Sequence, residues 1–350
     1  MIRRGERTTE LDARAALGCY ALSDPAVAGL TAGGFINDSW IVADAGERYV
    51  LRAYRRAPEA SRIAFQLAFQ EHLLTSGFPT APIIKSRSGE ASASSSGLYW
   101  TLFGLVAGQG FDFSSLDQAR EAGARLAEFE AVAAGYAGPV VAPPMEQVAP
   151  RNWLAPVSSH VWRTSMLDEE QEGRLRELFA GEGFEEELEF FSQWHRAAAA
   201  VWTSERLTAL PQAWLHGDYH GLNMVFQGDE MVGLFDFDFV TRGPRVFDVS
   251  RGLFNFGRER RGSTTLREPF CRAFLDGYES LAPLSEEERR ALPFMAVLNW
   301  VPDASFYAAR MREADAPDIG DRLRQAVRVM RAIQSEMRRL APRFGWAEAR

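Results

Sequence analysis

The sequence predicts an α+β protein made of a small antiparallel-sheet unit followed by a larger, mainly helical one. Three observations predict it. A chain of 350 residues is long enough for two lobes, each with its own core. Up to Gly110 the pattern is strand, glycine loop, strand, strand, helix, strand, strand, which is an antiparallel sheet with one inserted helix. After Gly110 helical periodicity takes over. The boundary falls in the stretch from Val106 to Gly110, so the segments are 1–106 and 107–350.

The elements follow in order. Thr9 with Asp12 three residues later reads as a helix cap. Residues 27–32 read as a strand, and Gly33-Gly34-Phe35-Ile36-Asn37-Asp38-Ser39 as a glycine loop. Strands at 39–43 and 47–54 are joined by the turn Asp44-Ala45-Gly46. In the second of these, Val50, Arg52 and Tyr54 share one face by the period of two. A helix over 59–76 carries Ile63, Leu67 and Leu74. Gly77 ends it, and Pro79 and Pro82 prevent its return. Ser86 to Gly97 is polar and reads as a mobile hairpin tip before the apolar strand 98–106. Helix 115–134 places Ala119, Ala122, Leu126, Phe129 and Ala133 on one stripe. Helices follow at 168–180 and 185–203, a β insert at 213–239, and helices again at 246–256, 265–281, 286–311 and 318–340.

Composition excludes several classes. The net charge is −8 and apolar types make up 46 % of the chain, an ordinary globular mixture. A pI of about 5.4 argues against nucleic acid as the partner. Arg258, Arg260 and Arg261 form a local basic spot, open to phosphate contacts but read first as a solvated helix end. The two cysteines, Cys19 and Cys271, support neither a disulfide framework nor a Cys-rich zinc site. That usage, and an N-terminus without the apolar core of a signal peptide, points to the cytoplasm. No window approaches the ~18 uncharged apolar residues needed to span a membrane.

The densest polar cluster in an apolar setting is Ala213-Trp-Leu-His-Gly-Asp-Tyr-His-Gly-Leu-Asn-Met-Val-Phe226, followed by Gly233-Leu-Phe-Asp-Phe-Asp-Phe-Val240. Gln227-Gly-Asp-Glu230 between them reads as a hairpin turn. The hairpin would set Asn223 beside Asp236, with Asp218 nearby. Two carboxylates and an amide oxygen are hard ligands suited to Mg²⁺ held together with a phosphate. The strings His216-Gly217-Asp218-x-x-x-x-Asn223 and Asp236-Phe237-Asp238 parallel the kinase pattern His-Arg-Asp-x-x-x-x-Asn and Asp-Phe-Gly, with the same step from acid to amide.

Taken together, these strings resemble the aminoglycoside phosphotransferase superfamily, which includes aminoglycoside kinases, choline kinases and type II homoserine kinases. Tyr49-Val-Leu-Arg-Ala-Tyr-Arg55, the helix 62–74 and Gly77-Phe-Pro79 most resemble the homoserine-kinase branch. The resemblance implies a protein-kinase-like two-lobe fold, with 1–106 binding nucleotide and 107–350 holding the catalytic and acceptor residues. It implies an O-phosphotransferase using Mg²⁺ and ATP, or GTP, on a small hydroxylated molecule. Asp218 would be the catalytic acid/base group, and Asn223 and Asp236 the metal ligands. Asp248 would brace the catalytic loop and His216 would be structural. Gly33 and Gly34 would lie over the phosphates, and the backbone of Phe103 to Val106, including Leu105, would meet the adenine. Many relatives pair a strand lysine with a helix glutamate; Arg52 and Gln66 stand there instead. Arg52 can still contact phosphate through its guanidinium fork. His220, Asp238 and Asp303 are the acceptor-side candidates, Asp238 also as a second metal ligand.

The breadth of the family and the acidic late segment, Asp303 with Asp315 and Asp318, which could attract a cationic amine, lean the reading towards an antibiotic of aminoglycoside, nucleoside or peptide type as acceptor, as in a resistance kinase. A homoserine or amino-alcohol kinase and a protein-serine kinase are the alternatives. A non-catalytic kinase-like nucleotide-binding protein is another class, which intact Asp218, Asn223 and Asp236 argue against. His216-x-Asp218-x-His220 admits a zinc hydrolase, but His72, His160 and His195 have no metal-like neighbours. Oligomeric state is not legible.

Overall fold

Thr9 opens the first helix. Its hydroxyl accepts from the Asp12 N–H, and the Asp12 carboxylate reaches back to the Thr9 N–H at 2.9 Å. This reciprocal cap fixes α1 at Glu10–Leu17. The computed structural model describes residues 7–31, 37–55, 60–139, 141, 154–157, 161–164, 169–300 and 319–346. The chain divides into two compact units. One comprises Met1–Gln109, Tyr136–Val141 and Val232–Phe235; the other comprises Gly110–Gly135, Ala142–Met231 and Asp236–Arg350.

The first unit is an antiparallel sheet of β1 (Ala26–Leu30), β2 (Asp38–Asp44), β3 (Glu47–Ala53), β4 (Ile83–Ile84), β5 (Ala93–Ser95) and β6 (Leu98–Gly104). The order is β1-β2-β3-β6-β4, with β5 also paired to β6. Ala45 and Gly46 both take positive φ, 50° and 87°, so a two-residue turn joins β2 to β3. Alternation gives the sheet two apolar faces. Trp40, Val42, Leu51, Ala53, Trp100 and Leu102 pack with Ala13, Ala16 and Leu17 of α1. Val50, Tyr54 and Phe103 pack instead with Ile63 and Leu67 of α2 (Ala60–Thr75). The stretch 86–97, read as a mobile tip, is built into the sheet: Ser95 pairs with Leu98 across a turn at Ser96 and Gly97.

The second unit is mainly helical, with α3 (Leu116–Ala133), β7 (Leu154–Val157), β8 (Val161–Thr164), α4 (Glu169–Leu178), α5 (Glu185–Val201) and α6 (Ser204–Ala209). Then come β9 (Gln212–Leu215), β10 (Met224–Gln227), β11 (Glu230–Leu234, of which residues 232–234 belong to the first unit), β12 (Thr241–Pro244), α7 (Val246–Gly257), α8 (Glu268–Glu279), α9 (Glu286–Leu298) and α10 (Ile319–Phe344). β10 and β11 form a hairpin, and β9 pairs antiparallel with β12. The second pairing is long-range and was not legible as a pair. All twelve residues of α7 are buried, which makes it the centre of this unit.

Two expectations are corrected here. The helix expected over 286–311 stops at Leu298, where the Asn299 amide turns back to the Met295 carbonyl at 2.8 Å. Pro302 in the sequence disfavours a helical residue before it, so a stop ahead of it is the cheaper solution. Arg258 is not a solvated helix end: it caps α7 with its side chain half-buried, and only Arg260 and Arg261 are exposed. Gly33, Gly34, Pro302, Asp303, Asp315 and Asp318 lie outside the described residues. Among the described residues, no helix is long and apolar enough to cross a membrane.

Candidate active site

β9 ends at Leu215, and the next five residues form the polar loop. Asp248, on the first turn of α7, holds it from below. Its fully buried carboxylate accepts from the His216 N–H at 2.6 Å and from the Gly217 N–H at 3.2 Å. Burial pushes its carboxyl up to about 6, while the two N–H groups and Arg251 favour the charged form. Gly217 has φ of 75°, and a Cβ there would meet the Phe239 carbonyl oxygen at 2.6 Å. No other residue fits this turn without moving that backbone. The His216 ring is fully buried against Phe129, Tyr219 and Phe237, and its Nδ1 accepts from the Asp218 N–H at 3.2 Å. It is a structural part of the loop.

Asp218 is buried. One carboxylate oxygen receives Arg251 Nη2. The other faces His220 Nε2 at 3.3 Å and Asn223 Nδ2 at 3.5 Å. His220 Nδ1 accepts from the Leu222 N–H at 3.2 Å, so the ring proton sits on Nε2 and points to Asp218. Arg251 is itself fixed: its Nη1 donates to Asn299 Oδ1 at 3.1 Å, and the Asn299 amide donates to Ser250 Oγ at 3.3 Å. The carboxylate is thus held on both oxygens in one orientation, as a group that positions a hydroxyl must be.

Asn223 closes a short 3₁₀ turn at Gly221–Asn223 and leads into β10. Its amide nitrogen donates to the Asp218 carbonyl at 2.9 Å, which turns its carbonyl oxygen the other way. Asp236 follows β11 by two residues in the left-handed conformation, φ 67° and ψ 66°, and precedes a 3₁₀ turn at Phe237–Phe239. The hairpin therefore carries Asn223 and Asp236 at its open end. An aspartate in that conformation costs on the order of 1 kcal/mol or more, a strain concentrated at functional sites. Asp238 is half-buried within the turn. Oxygen donors of this kind suit a small hard cation. Among the described residues, no group of three His, Cys, Asp or Glu side chains can hold a metal.

In the sheet unit, Arg52 on β3 pairs with Ser39 and Thr101, and its guanidinium lies 5.5 Å from the Tyr54 ring centre. Gln66 is buried on α2. Phe103 is buried on β6, and the Leu105 N–H donates to the Arg48 carbonyl at 3.0 Å. Sequence reasoning missed Arg251 and Asn299. The signal available for the first was its place three residues beyond Asp248, on the same helical face.

The fold and this loop define a class: a phosphotransferase of the kinase-like kind. The model of the phosphotransferase enzyme family, the aminoglycoside phosphotransferase type, matches residues 30–284, and the chain belongs to that family. It is a small-molecule kinase with an alcohol group as acceptor. It is 29 % identical to the homoserine kinase of Rhizobium etli over 265 residues, covering 75 % of this chain and 74 % of that one. The homoserine kinase of Phenylobacterium zucineum is 25 % identical over 263 residues, covering 75 % and 73 %. Among solved structures, an amicoumacin kinase in complex with AMP-PNP, Ca²⁺ and amicoumacin aligns with a TM-score of 0.62 at 15 % identity, over 93 % of each chain. A microcompartment-associated aminopropanol kinase aligns at 0.59 and 15 % identity, over 96 % and 99 %. These two likenesses show the shared fold.

Proposed function

We propose that this chain is a Mg²⁺- and ATP-dependent kinase that phosphorylates the hydroxyl of a small metabolite of the homoserine or amino-alcohol type. The observation that supports this best is the Asp218 carboxylate, held between Arg251, His220 and Asn223 on a loop braced by Asp248. Asp218 orients the acceptor hydroxyl and takes up its proton as the oxygen attacks the terminal phosphorus. The new O–P bond forms as the bond to the departing nucleoside diphosphate breaks. Asn223 Oδ1 and the Asp236 carboxylate would hold the metal. Bound there with the triphosphate, Mg²⁺ would supply positive charge against the charge developing on the phosphate oxygens. Arg52, with Gly33 and Gly34, is assigned to the phosphates. Phe103 and Leu105 are assigned to the adenine, with Leu105 offering its carbonyl because its N–H is committed to Arg48. His220, Asp238 and Asp303 are assigned to the acceptor side.

The sequence relatives favour a metabolite over the antibiotic towards which the acidic late segment leaned. The antibiotic kinases share the fold at identities too low to speak for an acceptor. Calorimetric titration with ATP and Mg²⁺ tests the nucleotide assignment. Binding should require the metal, and Asp236→Ala should weaken it at least tenfold. Unchanged binding in that variant would reject Asp236 as a metal ligand.

A further inference from the structure

One face of α7 is polar although the helix is buried throughout. Asp248, Arg251, Asn255 and Arg258 recur at the spacing of a single stripe. Three of them are spoken for. Asp248 braces the loop, Arg251 holds Asp218, and the Asn255 amide donates to the Tyr219 carbonyl at 3.2 Å. Arg258, the last, is not. Its guanidinium lies 5.9 Å from the Phe113 ring centre and 5.7 Å from that of Phe254, and its Nε is buried without a hydrogen-bond partner. The Phe254 contact shows the side chain leaning back along the helix, towards Arg251.

The charges around it are of its own sign. Arg251 and Arg261 act on it, and burial together with these two pulls its pKa down to about 10. The nearby acids are turned elsewhere. Asp112 accepts from the Ser114 N–H and hydroxyl, each within 2.8 Å. Glu259 faces Ser263 and Arg267. No ion pair to Arg258 exists among the described residues. A half-buried cation beside other cations is costly unless an anion joins it. Only two helical turns, about 10 Å of rise, separate it from the arginine that holds Asp218.

We propose that Arg258 is the anion site of the acceptor subsite, and that the acceptor carries a carboxylate besides its reacting hydroxyl. This rests on the kinase reading and narrows it to hydroxy acids, as against amino alcohols without a carboxylate or polycationic antibiotics. Phe113 and Phe254 exclude water from the guanidinium and so strengthen its pairing with an incoming carboxylate.

The test is equilibrium binding of L-homoserine and of its amide, L-homoserinamide, which lacks the carboxylate, to the full chain with Mg²⁺ and a non-hydrolysable ATP analogue. The wild type should bind the acid at least tenfold more tightly. Arg258→Met, which keeps the apolar stem, should bring the two within twofold, and Arg258→Lys should restore part of the preference. Equal affinity for both ligands in the wild type, including binding of neither, overturns the proposal, as does a preference that survives in Arg258→Met. Nucleotide binding read in the same titration separates the two claims. Its presence without acid preference sinks the carboxylate assignment alone, and its absence sinks the kinase reading too.

Discussion

At the residue scale the site depends on a few buried polar groups, each with a defined task. Asp248 is the clearest. Without its carboxylate the N–H groups of His216 and Gly217 lose their acceptor in a place water does not reach. Each orphaned N–H costs about 1–3 kcal/mol. Asp248→Ala should therefore lower the unfolding free energy read from chemical denaturation by that order and reduce turnover with it, because the loop that presents Asp218 loses its brace. A variant with wild-type stability and turnover would show that the loop holds its shape without Asp248. Arg251 shows why part of the site was hidden. Its spacing from Asp248 can be counted, but that α7 lies beneath the loop is a fact of tertiary packing. Asn299 was hidden for the same reason: 48 residues separate it from the arginine it holds.

At the element scale the second unit is organised by close helix contacts. α3 and α8 touch backbone to backbone: a Cβ at Gly123 would meet the Phe274 carbonyl at 1.9 Å, and one at Gly277 would meet that of Arg120 at 1.9 Å. Glu130 of α3 is buried in this contact, where the Tyr278 hydroxyl donates to it at 2.7 Å and its other oxygen has no partner. Burial raises its carboxyl well above the usual range. The unfolded chain releases this proton near pH ~4.3, whereas the folded protein keeps it to higher pH. In that window the native state binds more protons, so this group's contribution to stability falls as pH rises. Glu130→Gln, which is neutral throughout, should gain stability over the wild type as pH increases from 4 to 8, by up to ~1.4 kcal/mol per pH unit within the window. A stability difference independent of pH would contradict the assignment.

Legibility also divides by element. The cap at Thr9, the turn at Ala45 and Gly46, and the helices over 116–133 and 246–257 rest on local signals of period and turn chemistry. The hairpin 224–234 and the loop before it rest on a short motif, from which Asn223 was expected beside Asp236 with Asp218 nearby; the structure sets the Asn223 amide against Asp218. The pairing of β9 with β12 has no local signal. The half-buried setting of Arg258 was missed because a run of arginines reads as solvated unless the rings of Phe113 and Phe254 are known to lie beside one of them.

At the scale of the whole molecule, a sheet unit with two apolar faces and a helical unit centred on α7 belong to one phosphotransferase family. On the proposed function, the loop at His216 and the hairpin after it transfer a phosphoryl group to an acceptor hydroxyl, with Asp218 as the group that orients it. The direct measurement is mass spectrometry of L-homoserine and related hydroxylated amines after incubation with ATP and Mg²⁺, for wild type and Asp218→Asn. The wild type should add one phosphoryl group to the acceptor, and a metal chelator should abolish the product. Asp218→Asn should slow its formation by about 10²–10⁴-fold while nucleotide affinity stays within about twofold. Phosphorylation by Asp218→Asn at the wild-type rate, or a wild type that binds the nucleotide with Mg²⁺ and modifies no acceptor, would contradict the account.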